Sequence, residues 1–331
     1  MKNRLISVLI SACATLLTAC VSTSKTPVEL PAAAPLTRLI IGVQSAKPEE
    51  TKAAWLPLMN AIAKKHGLKT DVIAASQSET VAALRDGTVD VVWLSSSTAI
   101  DAVVDAQARA FALYYNINGT NGYKGVLITR SDSGIATLAE ALSAGKYSYA
   151  SGAKTSTSGY VLPQALLFSP RETTPEQLFK KVVYGGHFPN LDALWTKQVD
   201  LAVNNTTDLA VFQSRVPEAK AGIRTLWESP LVPNDVLMAS RSMSPAHLKI
   251  IQEIFLNFGK TDTSEKELYK RASGIDYFVP TDNRILAPVT AFKFGAERTA
   301  IQNNETLSSS AKSTALARLN DRLATFNASL K

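Results

Sequence analysis

A two-unit α/β architecture is the fold class this sequence predicts, and three observations predict it. From Leu39 onward, short apolar runs alternate with amphipathic segments at helical spacing, the order expected of strands covered by helices. Two of the runs lead into hydroxyl-rich helix starts, Ser95-Ser96-Ser97-Thr98 and Thr155-Ser156-Thr157-Ser158, which places ligand chemistry at the C-terminal ends of strands. After the N-terminal leader and the tether to residue 36, roughly 295 residues remain, enough for two α/β units or one large one.

The leader begins with Lys2 and Arg4, continues through an apolar core at 5–17 and ends Leu17-Thr18-Ala19-Cys20. Such a segment is a secretory signal, too short to span a membrane as a helix. Small residues before a cysteine form the lipoprotein cleavage pattern, so 1–19 is expected to be removed and Cys20 to carry the lipid. The expected location is therefore periplasmic or cell-surface, anchored to the membrane by acyl chains of the palmitate type. Cys13 falls in the discarded part, which leaves one cysteine and no disulfide. Residues 20–36, with Thr26-Pro27, Leu30-Pro31 and Ala34-Pro35, read as a flexible tether.

The chain carries 35 basic and 28 acidic side chains, a formal charge of +7. Removing the signal takes away Lys2 and Arg4 and no acidic residue, which lowers +7 to +5. A mildly basic balance suits an anionic ligand or a membrane surface. The charge is dispersed, with no run of five Lys or Arg, so nucleic acid is not an expected partner.

Taken in order, the elements begin with a strand at 39–43 and a loop around Pro48. A helix at 51–66 follows, with Trp55, Leu58, Met59 and Ile62 on one face and Gly67 closing it. Next come a strand at 70–75, a helix at 78–85, a buried strand at 89–94, a helix at 99–108 and a strand at 110–117. The second unit predicts a strand at 125–129, a helix at 135–144, a strand at 147–150 and an apolar helix at 160–168. It continues with strands at 181–184 and 201–203 around a helix at 191–197, then a run at 222–227. Residues 229–235, Ser-Pro-Leu-Val-Pro-Asn-Asp, read as a proline-stiffened return crossing. The rest reads as mostly helical: 244–259, 264–271 and a final segment with Leu316, Leu319, Leu323 and Phe326 at helical spacing. Strands alternating with helices imply a parallel sheet.

The stretch with the most chemistry is Lys154-Thr155-Ser156-Thr157-Ser158-Gly159-Tyr160. A helix start leaves backbone N–H groups without partners and carries about half a positive charge, so it favours anions. Hydroxyls can turn to donate to an oxyanion without bringing a charge of their own. The competing reading is that Ser156 or Thr157 caps its own helix, for which one hydroxyl is enough.

Several segments occur together in order and spacing: Ser156-Thr157-Ser158-Gly159-Tyr160-Val161-Leu162-Pro163, Gly186-His187, Val199-Asp200-Leu201-Ala202-Val203-Asn204-Asn205-Thr206, and Trp227-Glu228-Ser229-Pro230-Leu231-Val232-Pro233. With Val89-Asp90-Val91-Val92-Trp93 and Asn257-Phe258-Gly259-Lys260-Thr261, they resemble the solute-binding protein of a phosphonate (phosphate/phosphite/phosphonate) ABC importer over residues 38–285. The resemblance implies a periplasmic-binding-protein-like, type II, two-lobe fold with two crossing hinge strands and C-terminal helices. Lobe 1 would comprise 37–122 and 233–331, and lobe 2 would comprise 123–232. It also implies ABC permease and ATPase partners; a dimer through the C-terminal helices is a further expectation.

By the same resemblance, Ser156, Thr157, Ser158 and His187 hold the phosphonate oxygens. Donors at a helix start plus a histidine that titrates near neutrality suit a tetrahedral anion. The alternative for His187 is a solvated loop histidine, with Gly185-Gly186 letting the backbone come close. Asp235 matches an acidic residue that meets the amine of aminoethylphosphonate; otherwise it is a turn aspartate. Tyr123, before the first crossing, either lines the cleft or packs. The chain departs from the pattern at Leu94 and Gln77, where a Tyr is expected, at Thr207, where a Glu is expected, and at Ser95 and Ser96, which replace Gly-Asn. Those changes favour phosphite, methylphosphonate or another un-aminated ligand.

Two other classes compete. Ser158, His187 and Asp235 can be drawn as nucleophile, base and orienter of a serine-type hydrolase, although no Gly-x-Ser-x-Gly elbow is present. A lipoprotein sensor or receptor for another small oxyanion would share the fold. Neither a cofactor nor a metal is expected, because His66, His187 and His247 lack ligand spacing.

Overall fold

The structure is a computed structural model that describes residues 35–331. The expected signal, Cys20 and nearly all of the tether lie outside the described residues. Along the chain the strands are β1 (Arg38–Gln44), β2 (Lys69–Ala75), β3 (Val91–Leu94), β4 (Arg109–Asn116), β5 (Gly122–Tyr123), β6 (Gly125–Arg130), β7 (Ser148–Ser151), β8 (Lys181–Tyr184), β9 (Leu201–Asn205), β10 (Ile223–Glu228), β11 (Val232–Pro233), β12 (Val236–Ala239) and β13 (Ile275–Pro280).

Two sheets organise them. The first has the order β13-β4-β12-β3-β1-β2, and the second β10-β6-β9-β7-β8. The chain crosses between them twice, and the crossings pair antiparallel as β5 and β11, Val232 opposite Tyr123. Gly122 is needed there, since a Cβ would stand 2.6 Å from the Val232 carbonyl oxygen. The result is a mixed α/β two-lobe fold in which the inserted second lobe begins and ends at a two-stranded hinge.

Both sheets are mixed rather than parallel. β1 runs parallel to β2 and β3, but β12 runs antiparallel to β3 and β4, and β13 antiparallel to β4. In the second sheet β6 opposes both β9 and β10. β12 and β13 fall in the region read as mostly helical. Val236, Leu237, Met238 and Ala239 are all fully buried. A four-residue strand covered on both faces shows no alternation by which to recognise it.

Helix ends moved for local reasons. The first helix is Pro48–His66, so Pro48 opens it rather than sitting in a loop, which suits its fixed φ and missing N–H. Gly67 closes it in the left-handed region at φ 67. The helix expected at 135–144 is only the turn Leu138–Ala141. The one expected at 160–168 is two π-helical turns, Thr157–Val161 and Gln164–Phe168. Helix Thr206–Arg215 was not anticipated, because its opening Thr-Thr-Asp reads as loop.

Each lobe has its own core. In the first, Trp93 packs edge-on against Trp55 at 5.2 Å and lies 4.8 Å from Tyr114. In the second, Tyr149 stacks on Phe179 at 4.5 Å. Each such fully buried side chain stabilises the fold by about 1.5–3 kcal/mol. Leu162, from the second lobe, joins the first lobe's cluster with Tyr123, Val232 and Phe294, so apolar contact continues through the hinge. Helices Ala287–Gln302 and Ser309–Ala328 cover helix Ser96–Ala106. Lys293 meets Asp101 at 3.0 Å, and Arg322 meets the same carboxylate at 2.7 Å.

Candidate functional site

The hydroxyl stretch follows β7. Its Gly159 folds back on the strand end so tightly that a Cβ on Gly152 would stand 2.6 Å from the Gly159 Cα. The Gly152 N–H donates to the Gly159 carbonyl at 2.8 Å. A Cβ on Gly159 would in turn stand 2.8 Å from Ser156 Oγ and 2.9 Å from the Gly152 Cα. Ser156 caps its own helix, accepting from the Gly159 N–H at 3.1 Å, so the capping reading holds for that side chain.

The next two hydroxyls face elsewhere. Thr157 Oγ1 accepts from the Ser97 N–H at 2.9 Å, which brings the helix starts of the two lobes together across the cleft. The buried Tyr123 hydroxyl meets the same Thr157 side chain, and burial pushes that phenol well above its ordinary pKa. Ser158 Oγ lies 3.2 Å from His187 Nε2.

His187 opens helix His187–Trp195 instead of standing in a loop. Its Nδ1 is 2.7 Å from Asp208 Oδ2, and Asp208 sits in the first turn of helix Thr206–Arg215. Asn205 Nδ2 donates to the same carboxylate oxygen at 2.9 Å, and Asn204 Nδ2 donates to the His187 carbonyl at 2.8 Å. With Asp208 as acceptor, Nδ1 carries a proton, which leaves Nε2 to serve the cleft. Burial lowers the His187 pKa, but the hydrogen bond to Asp208, its charge and that of Asp235 outweigh burial and raise it. Burial works to raise the Asp208 pKa, yet the His187 contact holds it below its ordinary value. Gly185 is needed for a packing reason: a Cβ there would meet Asn190 Oδ1 at 2.5 Å.

Asp235 follows the hinge strand β11. Burial, then the Asp208 charge, push its carboxyl up to about 7, against a hydrogen bond from Trp93 and the charge of His187.

These groups line an interlobe cavity of about 570 Å3. It brings together Gln77, Ser95, Tyr123, Ser156, Thr157, Ser158, His187, Thr207 and Asp235. Gln77 reaches the second lobe by accepting from the Thr155 hydroxyl. Ser96 is placed elsewhere: it is fully buried, and its hydroxyl donates to the Pro233 carbonyl at 3.0 Å, on the hinge. Leu94 is also fully buried, in the first lobe's core, so it adds no apolar surface to the cleft. Asp208 and Asn205 were missed, as was the orienting carboxylate of His187, which is Asp208 and not Asp235. The available signal was their place just after a buried strand, the same rule that singled out 95–98.

A helix start, the Ser158 hydroxyl and a histidine Nε2–H converging on one cavity can hold a tetrahedral oxyanion by charge-assisted hydrogen bonds.

Comparison with known proteins agrees with this geometry. A family model described as "ABC transporter, phosphonate, periplasmic substrate-binding protein" matches residues 41–285. The phosphonates-binding periplasmic protein of Escherichia coli (strain K12) is 29% identical over 272 residues, covering 81% of this chain and 80% of that protein. A binding protein component of an ABC phosphonate transporter from Pseudomonas aeruginosa superposes with a TM-score of 0.75 at 26% identity, covering 88% of this chain and 97% of that one. A protein of Prochlorococcus marinus (MIT 9301), solved in complex with methylphosphonate, shares the fold with a TM-score of 0.66 at 14% identity, covering 77% and 97%.

Proposed function

The chain belongs to the periplasmic substrate-binding proteins of phosphonate ABC transporters, and on that premise we propose that its cleft captures a phosphonate or related small phosphorus oxyanion for delivery to a permease and its ATPase. The observation that carries the reading is the Ser158–His187–Asp208 chain opening into the interlobe cavity. Ser158 Oγ and protonated His187 Nε2 donate to the anion, and the helix start supplies backbone N–H groups. Ser156 shapes that start. Thr157 links it to Ser97 when the lobes, 37–122 with 233–331 and 123–232, meet at the hinge. Gln77, Ser95, Tyr123 and Thr207 wall the cavity.

In this reading Cys20 carries the lipid anchor outside the membrane-facing permease, and the C-terminal helices offer a surface for dimer formation. The ligand is un-aminated: Thr207 brings no carboxylate, and Asp208 is already engaged by His187. Asp235 remains as the sole partner an ammonium would find there, and burial favours its neutral form. An unpaired buried charge costs several kcal/mol. Titration calorimetry on the chain from Cys20 onward tests this, with methylphosphonate expected to bind about tenfold more tightly than 2-aminoethylphosphonate. Tighter binding of the aminated ligand would overturn the preference.

A serine-type hydrolase has one observation in its favour, since Ser158, His187 and Asp208 stand at the spacings of an acyl-transfer relay. The binding reading predicts that phosphonate esters titrate the protein without product release, and steady turnover would favour the enzyme instead.

A further inference from the structure

The cavity that holds the cradle is larger than a small phosphonate needs. At about 30 Å3 per water, 570 Å3 is the space of roughly nineteen waters. A methylphosphonate in the cradle displaces only a few of them, and the remaining volume is lined by residues with no part in holding the phosphorus oxygens.

Among those are three cations: Arg215 from the second lobe, and Lys270 and Arg271 from the first. Arg215 ends helix Thr206–Arg215, and its guanidinium lies over the Phe188 ring at 5.1 Å, on the residue next to His187. Arg271 stands in the last turn of helix Thr263–Ser273. Lys270 is paired with Glu267 at 2.8 Å. Neither arginine makes an ion pair among the described residues. The two arginines line one cavity from opposite lobes, so an anion held between them is attracted to both. The two carboxylates of the cavity leave both arginines without a hydrogen-bonded partner. The Arg215 charge helps hold the Asp208 carboxyl low, but the Asp208 oxygen is bonded to His187 and Asn205, and Asp235 is buried beside Trp93.

The geometry points to a second anion subsite at the mouth of the cleft, between Arg215 and Arg271, and to a ligand with a carboxylate on a short carbon tail opposite its phosphonate. A guanidinium fork fits a carboxylate through two parallel hydrogen bonds, which the flexible ammonium of Lys270 cannot match. This inference rests on the phosphonate-binding reading and narrows its ligand class to carboxylated phosphonates.

Calorimetric titration of the chain from Cys20 onward with methylphosphonate, 3-phosphonopropionate and 2-aminoethylphosphonate tests it. The carboxylated ligand is expected to bind about tenfold or more tightly than methylphosphonate. Arg215→Gln and Arg271→Gln are each expected to shrink that ratio, to about threefold or less. Both positions are exposed, so folding is not at risk, and the ratio between two ligands cancels any general loss. Equal affinities, a ratio insensitive to both substitutions, or the aminated ligand binding best would overturn the subsite while leaving phosphonate binding intact. Failure of all three ligands to bind would overturn the functional reading and this inference together.

Discussion

The stretches 95–98 and 156–158 are two versions of one device. Each is a run of hydroxyls opening a helix at the C-terminal end of a buried strand, β3 in the first lobe and β7 in the second. Their surroundings differ. In the first lobe Ser95 faces Thr98 at 3.3 Å, Ser96 is tied to the hinge, and the Ser97 hydroxyl is buried without a partner. In the second lobe one hydroxyl meets a histidine whose Nδ1 is paired with an aspartate; Asn205 donates to that aspartate and Asn204 to the histidine's backbone carbonyl. A count of hydroxyls cannot separate the two runs. What separates them is the titratable group behind one of them.

The largest expected effect breaks that group. His187→Ala removes the charged donor and leaves Asp208 buried with only Asn205, so oxyanion affinity should fall by about 3 kcal/mol or more, on the order of a hundredfold. Calorimetry measures it, and a loss below about threefold would mean that the histidine does not touch the anion. Ser158→Ala should cost about 1.5–3 kcal/mol of binding, the value of a hydrogen bond to a charged group. The helix should survive, because Ser156 and not Ser158 provides its cap.

A change of pH sharpens the contrast by a smaller factor. As pH rises, His187 loses its proton through a raised pKa, and Asp235 acquires charge through about 7. Both changes oppose an anion, so affinity should be several-fold higher at pH 6 than at pH 8. Asp235→Asn should flatten part of the slope, and identical profiles for the two proteins would remove Asp235 from the cleft's electrostatics. The smallest effect belongs to the first lobe. Ser97→Ala deletes a buried hydroxyl without a partner, so thermal melting should show a change within about 0.5 kcal/mol or a slight gain. Phosphonate affinity should stay within about twofold, since it is the Ser97 N–H that reaches Thr157.

What the sequence revealed follows the same division. Local signals carried the strand–helix order, Gly67 as a helix end and Ser156 as a cap, because period and capping chemistry are written in neighbouring residues. β12 was illegible because burial on both faces erases alternation, and β13 because its partner β4 lies more than a hundred positions away. In the site, motif and resemblance singled out the hydroxyls and His187, and the structure brings them to one cavity. Asp208 was not legible, because what marks it is a 2.7 Å contact between two helix starts that only tertiary structure brings together. Leu94 and Ser96 were misplaced for the converse reason: adjacency in sequence to cleft residues does not decide which face of a strand or helix a side chain takes.

A crystal structure of the protein with methylphosphonate tests the central claim most directly. The phosphonate oxygens are expected within hydrogen-bond distance of Ser158 Oγ and His187 Nε2, with the Asp208 contact to Nδ1 retained. An anion seated instead on the first-lobe helix start, with Ser158 still closed onto His187, would contradict it.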